Sequence, residues 1–147
     1  MRLALFALSL AATGCAYRWQ PEPDCVARNV PFAVRALPEI RALADPSPAT
    51  LEAGFVLCST HEGRLVAAIE ALGAEGYSSY LGAGDPGKCL RIVRTHEASA
   101  AAMEREVSAI CRIAAANRIA YRHWQTEVGG KSVRLARERL WIDGKRR

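Results

Sequence analysis

The sequence predicts an α+β domain, a ferredoxin-like βαββαβ unit with two helices on one face of a four-stranded antiparallel sheet. Three observations carry this prediction. Residues 98–117 repeat apolar side chains at three- and four-residue steps and run directly into an aromatic, roughly alternating stretch closed by Gly129 and Gly130. A second pair, an apolar run at Phe55 followed by another amphipathic segment, precedes it. Between the two pairs lie two short strand-like stretches separated by a glycine-rich turn. The order strand, helix, strand, strand, helix, strand, between residues 51 and 128, fits the split βαβ arrangement. A chain of 147 residues can bury one such core.

Each element has its own signal. Phe55, Val56, Leu57 and Cys58 form a short apolar strand. Ser59-Thr60-His61-Glu62 has the spacing of a capping box and predicts a helix start there. Leu65, Ile69 and Leu72, with Val66 and Ala68, make the buried stripe of that helix, and Gly76 is placed to end it. Residues 77–81 read as a second strand, 82–87 as a turn and 88–95 as a third strand. In the second helix Met103, Val107, Ile110, Cys111 and Ala114 share one face, while Glu104, Arg105, Ser108 and Arg112 share the other. Ser99 is its expected N-cap and Asn117 suits a left-handed stop. Residues 119–128 then form the fourth strand, expected beside the first strand, whose other neighbour is the third.

The first fourteen residues hold one cation, Arg2, then an apolar run from Leu3 to Ala12 that is too short to span a bilayer as a helix. This is the anatomy of an export signal. Its end, Ala12-Thr13-Gly14-Cys15, resembles the lipobox of bacterial lipoproteins, which implies acylation of Cys15 and a membrane anchor. Ala16 follows the cysteine, and the resemblance then implies an outer-membrane address facing the periplasm. Residues 15–50, with Pro21, Pro23, Pro31, Pro38, Pro46 and Pro48, read as a proline-rich linker in which helix is limited to a short turn from Pro38 to Ala44.

Charge is unevenly distributed. Without Arg2 the chain keeps 19 basic against 15 acidic residues, a net +4. Residues 129–147, read as a basic tail, hold seven basic against two acidic residues, so the remainder is close to −1. A near-neutral domain argues against a nucleic-acid partner and leaves any electrostatic contact to the tail. Leu135, Leu140, Trp141 and Ile142 interrupt the tail, where an added strand or helix could pack.

With Cys15 assigned to lipid, Cys25, Cys58, Cys89 and Cys111 remain, and four cysteines allow three pairings. If Phe55 and Leu57 face the helices, Cys58 faces away; if Leu90 and Ile92 do so, Cys89 also faces away. Neighbouring strands would set the two opposite one another, within bridging distance. Cys58 is therefore expected to pair with Cys89, leaving Cys25 with Cys111, whose place on an apolar stripe also suits a buried thiol. The absence of a Cys-x-x-Cys argues against a redox enzyme.

No catalytic constellation stands out. Gly82-Ala83-Gly84-Asp85-Pro86-Gly87-Lys88 imitates the start of a phosphate-binding loop, but Cys89 stands where Ser or Thr would hold magnesium, and a strand follows instead of a helix. Asp85-Pro86-Gly87 is hairpin-turn chemistry. His61, His96 and His123 cannot all meet in the expected topology, so neither a metal nor another cofactor is expected. Tyr121, His123 and Trp124 on the last strand, with Arg91 on the third, are the candidate partner-binding residues, with burial in the core the default reading for Tyr77, Tyr121 and Trp124.

From about Ala53 to Glu127 the chain resembles the regulator of ribonuclease activity B, or ribonuclease E inhibitor, family. The likeness rests on the Phe55 strand, the helix ending Gly76-Tyr77, the strand from Cys89 to Arg94, the helix with Ile110 and Ala114, and the closing Tyr121 to Trp124. It implies regulation of a cytoplasmic ribonuclease. The residues themselves point to a cell-envelope lipoprotein with a small non-catalytic domain that binds a protein or envelope component.

Overall fold

The computed structural model describes residues 21–83 and 88–147. The expected export signal, Cys15 and residues 84–87 of the expected turn at 82–87 lie outside the described residues. The elements are α1 (Cys25–Arg41), β1 (Thr50–Ser59), α2 (Glu62–Ala74), β2 (Ser78–Ala83), β3 (Lys88–Glu97), α3 (Ala100–Ala116), β4 (Ala120–Val128), β5 (Lys131–Ala136), β6 (Arg139–Ile142) and β7 (Lys145–Arg146). The strands form one sheet in the order β2-β3-β1-β4-β5-β6-β7, and every pair is antiparallel. The α+β class holds, but the expected four-stranded sheet is a seven-stranded one and a third helix joins the expected two.

Two corrections produce that difference. The stretch expected to be a proline-rich linker is largely α1, seventeen residues long with Pro31 and Pro38 inside it. A proline in a helix interior costs about 3 kcal/mol through its missing donor and its ring. Against this, Val30, Ala33, Ala36, Leu37 and Ile40 form a buried stripe, and burying Leu37 and Ile40 stabilises by about 1.5–3 kcal/mol each. Both prolines are exposed, so the carbonyls they leave unpaired can turn to water. A disulfide from Cys25 to Cys111 then fastens α1 to α3.

The expected basic tail is a hairpin series that widens the sheet. Val133, Leu135, Leu140 and Ile142 alternate with polar residues and face the helices, with Val133 opposite Ile142 and Leu135 opposite Leu140. Two-residue turns with positive φ at both positions join these strands: Gly129-Gly130, Arg137-Glu138 and Asp143-Gly144. At Gly129, φ of 59° and the nearness of a side chain there to the Leu43 carbonyl leave no room for a Cβ. The β4–β5 turn thus rests on the chain leaving α1.

All three helices cover one face. Leu51, Ala53, Phe55 and Leu57 of β1, Leu90 and Ile92 of β3, and Trp124 of β4 join the helix stripes in a single core cluster. Ser99 caps α3 by accepting from the Ala102 amide at 3.2 Å, as its position suggests. Elsewhere the ends differ from expectation. Ser59 accepts from the His61 amide at 3.0 Å, a turn contact, and α2 begins without a side-chain cap. After α3 the left-handed residue is Arg118, at φ 53°, one beyond Asn117.

Candidate functional site

Among the described residues no helix covers the opposite face of the sheet. A row runs across it through Ser78, Val93, Gly54, Gln125, Arg134, Trp141 and Arg146, each opposite the next on adjoining strands. The neighbouring row places Tyr80, Arg91, Val56 and His123 in line. Cys58 and Cys89 are direct partners across β1 and β3, and they form the second disulfide on this face.

A bulge in β4 decides which side chains reach the open face. Leu57 lies opposite Tyr121 and Val56 opposite His123, so Arg122 is the extra residue. The shift turns Tyr121 and Trp124, three apart, toward the helices together. It turns Arg122 and His123 outward together. Of the four candidate partner-binding residues, Arg91 and His123 therefore stand on the open face, whereas Tyr121 and Trp124 are core side chains, Trp124 being 0% exposed. Strict alternation across 121–124 cannot reveal this, because a bulge leaves no sequence mark as clear as a turn.

Arg122, His123, Arg134, Arg137, Arg139 and Trp141 surround a hollow of about 200 Å³ between β4, β5 and β6. Ala136 completes its lining, which among the described residues contains four guanidinium groups and no carboxylate, Arg122 and Arg137 also interacting with other groups of the chain. The Arg134 guanidinium lies 5.4 Å from the centroid of the Trp141 ring, a cation–π contact that braces both side chains. Four of these residues, Arg134, Arg137, Arg139 and Trp141, belong to the segment expected to be a solvated tail. The available signal was the alternation of Val133 and Leu135 with outward-facing neighbours.

His123 sits at the centre of this charge. Burial holds its pKa down to about 4; a Gln125 hydrogen bond opposes that, and Arg134, Arg122 and Arg91 lower it further. Its Nε2 lies 3.1 Å from Gln125 Oε1, so with the amide oxygen accepting, the imidazole carries its proton on Nε2. The Gln125 side chain passes over Gly54, where an added Cβ would come within 3.0 Å of its Cγ. Gly54 thus leaves the space in which Gln125 orients His123.

The sign of the resulting pH dependence follows. Between the ordinary 6.5 and about 4, the unfolded chain binds a proton at residue 123 that the folded chain does not. The folded state is then at full stability above 6.5 and loses stability as pH falls toward 4. His123→Gln is expected to flatten this part of the profile, as measured by urea unfolding at a series of pH values between these limits.

A second polar cluster lies on the helix side. Glu106 of α3 is 2% exposed, accepts a 2.7 Å hydrogen bond from the Tyr77 hydroxyl, and pairs with Arg94 at 3.4 Å and Arg105 at 3.2 Å. Arg94 also donates to the Glu75 carbonyl and stacks over the Tyr77 ring at 4.5 Å. Every partner there is within the protein, so the cluster joins α3 to β3 and to the end of α2.

The chain matches no family model, no curated protein and no solved structure. What the open face can bind follows from its chemistry. Its hollow offers positive charge, a neutral imidazole and an indole, carried on paired strands except for Arg137, which stands in the β5–β6 turn. Among the described residues its lining holds no hydroxyl or thiol nucleophile. Among the described residues no group of three or more His, Cys, Asp or Glu side chains is placed to hold a metal ion.

Proposed function

We propose that this chain is an exported protein, anchored by lipid on Cys15 at the outer membrane and facing the periplasm, whose open sheet face binds an anionic group of an envelope protein or component without catalysing a reaction. The observation that carries the reading is the arginine-lined hollow on the helix-free face. The fold beneath it is read as a ferredoxin-like βαββαβ core, since β1 lies between β3 and β4 and β2 lies outside β3, with α1 and β5 to β7 added. Two disulfides support an oxidising compartment and favour this reading over regulation of a cytoplasmic ribonuclease.

Mass spectrometry of the native protein from fractionated cells tests the address. The expected species begins at an acylated Cys15 and has Cys25, Cys58, Cys89 and Cys111 oxidised. An intact Met1 with five free thiols in the cytoplasm would overturn it and return ribonuclease regulation to first place. Retention on immobilised polyglutamate tests the binding half. It is expected to weaken with added salt and to vanish in Arg134→Glu/Arg139→Glu, while unfolding midpoints stay close to those of the parent.

A further inference from the structure

We infer that the open sheet face docks a second copy of this chain, the two copies stacking face to face about a two-fold axis so that Glu52 and Glu127 of each meet Arg134 and Arg139 of the other. The inference rests on the anionic-partner reading above and names the anionic group as the Glu52–Glu127 pair of the second copy.

The two carboxylates form a cluster of their own. Gly54 lies opposite Gln125, and that register carried two residues further sets Glu52 beside Glu127. Both line a hollow of about 270 Å³ with Gly54, Val93, Gln125 and Ser132, and among the described residues its lining holds no cation. Like charges directly opposite on neighbouring strands destabilise a sheet. Both side chains are exposed, and among the described residues neither has an ion-pair partner. The folded chain thus keeps an unmatched acidic pair at one end of the open face.

Two guanidiniums stand farther along the same face. Arg134 is opposite Gln125, two residues along β4 from Glu127, and Arg139 is opposite Ala136, two residues along β5 from Arg134. Both are exposed, and among the described residues neither is in an ion pair; Arg134 stacks on Trp141, which leaves its charge unmatched.

An isologous interface needs a surface that complements itself. A two-fold axis lying in the plane of the sheet, between the acidic pair and the basic pair, sets each on its complement in the other copy. Another partner would have to carry the same pattern inverted, whereas a second copy supplies it by symmetry. Sheet twist agrees with this arrangement, because two sheets of one hand pack aligned, turned by about 30°. Val93, 38% exposed, and Tyr80, 57% exposed, add apolar area on the same face. Three rows of side chains across the sheet cover roughly 30 Å by 20 Å, or about 600 Å² per copy, which reaches the lower end of specific interfaces. Association in the micromolar range is expected from that size.

Sedimentation equilibrium of the native full chain in a density-matched detergent, which hides the mass of the micelle, reads the association. A monomer–dimer equilibrium weakened by added salt is expected. Glu52→Arg/Glu127→Arg and Arg134→Glu/Arg139→Glu are each expected to weaken it about a hundredfold or more, because like charges then face one another. Mixed in equal amounts, the two charge-reversed proteins are expected to dimerise about as tightly as the parent, since every facing pair is again opposite in sign. Recovery on mixing also shows that both variants fold.

A chain that stays monomeric across the micromolar range yet is retained on polyglutamate would overturn the second-copy assignment and leave the anionic-partner reading standing. A dimer that survives either reversal, or reversed proteins with parent-like unfolding midpoints that fail to pair on mixing, would overturn it as well. A monomer that polyglutamate does not retain would overturn both. Dimerisation restored on mixing upholds the inference even where polyglutamate, kept out by the second copy, is not retained.

Discussion

Replacing Cys25 and Cys111 together with alanine is expected to lower the stability of the oxidised protein by about 4–5 kcal/mol, the larger of the two disulfide effects. The bond closes a loop of sequence separation 86, whereas Cys58–Cys89 closes one of 31. Loop-closure entropy then ranks the losses, about 4–5 against about 3–4 kcal/mol. There is a further reason for the order. Cys25 opens a helix containing two prolines, so α1 depends on its attachment to α3 more than an ordinary helix would. Urea unfolding of the two double variants tests the ranking, and hydrogen exchange is expected to show α1 amides losing protection first in the Cys25→Ala/Cys111→Ala protein. A greater loss from Cys58→Ala/Cys89→Ala would sink the entropic account.

Glu106→Ala is expected to cost about 2–3 kcal/mol, because it strands buried partners and not because it removes surface attraction. Burial first, and then its hydrogen bond to Glu106, push the Tyr77 hydroxyl well above its ordinary pKa, so it stays protonated and needs an acceptor. Arg105 is 63% exposed and its pairing contributes little after solvent screening. Arg94 is 35% exposed and is held as well by Tyr77 and the Glu75 carbonyl. Most of the loss therefore belongs to the Tyr77 contact. Glu106→Gln keeps an oxygen that can accept from Tyr77, and its cost is expected to be about 1 kcal/mol. Equal losses for the two variants, measured by the same unfolding assay, would assign the stability to the ion pairs instead.

The legible part of this fold is the part whose periodicity is uninterrupted. The stretches that became β1, α2, β3 and α3 each keep one period long enough to show a buried face, and β4 was legible despite its bulge through its aromatic residues and the closing Gly129-Gly130. In α1 the apolar stripe was present as well, at Val30, Ala33, Leu37 and Ile40, but Pro31 and Pro38 weigh against helix in any local reading. Only the face of α3 that receives this stripe resolves the conflict. The β5–β6 hairpin was hidden by its turn. Arg137-Glu138 adopts positive φ at both positions without the Asn-Gly or Asp-Gly that usually announces such a turn.

The candidate site was divided in the same way. Arg91 and His123 could be placed on the open face by alternation, which also turns Trp124 inward, while Tyr121 could not be turned inward with it without the bulge. Treating residues 129–147 as a tail separated their charge from the sheet, which made the domain look neutral. In the folded chain those arginines stand on the sheet itself.

The two disulfides are nested, with Cys58–Cys89 lying wholly inside the segment spanned by Cys25–Cys111. A ribosome delivers these four thiols in sequence order. The first two to appear, Cys25 and Cys58, are not partners, and Cys25 waits for the last of the four. Oxidation in order of arrival would join Cys25 to Cys58, a pair that only thiol–disulfide exchange could undo, whereas Cys58–Cys89 can close before Cys111 is made. The helix that begins at Cys25 is thus made before its partner helix and is the last of the two disulfide-held elements to be locked in place.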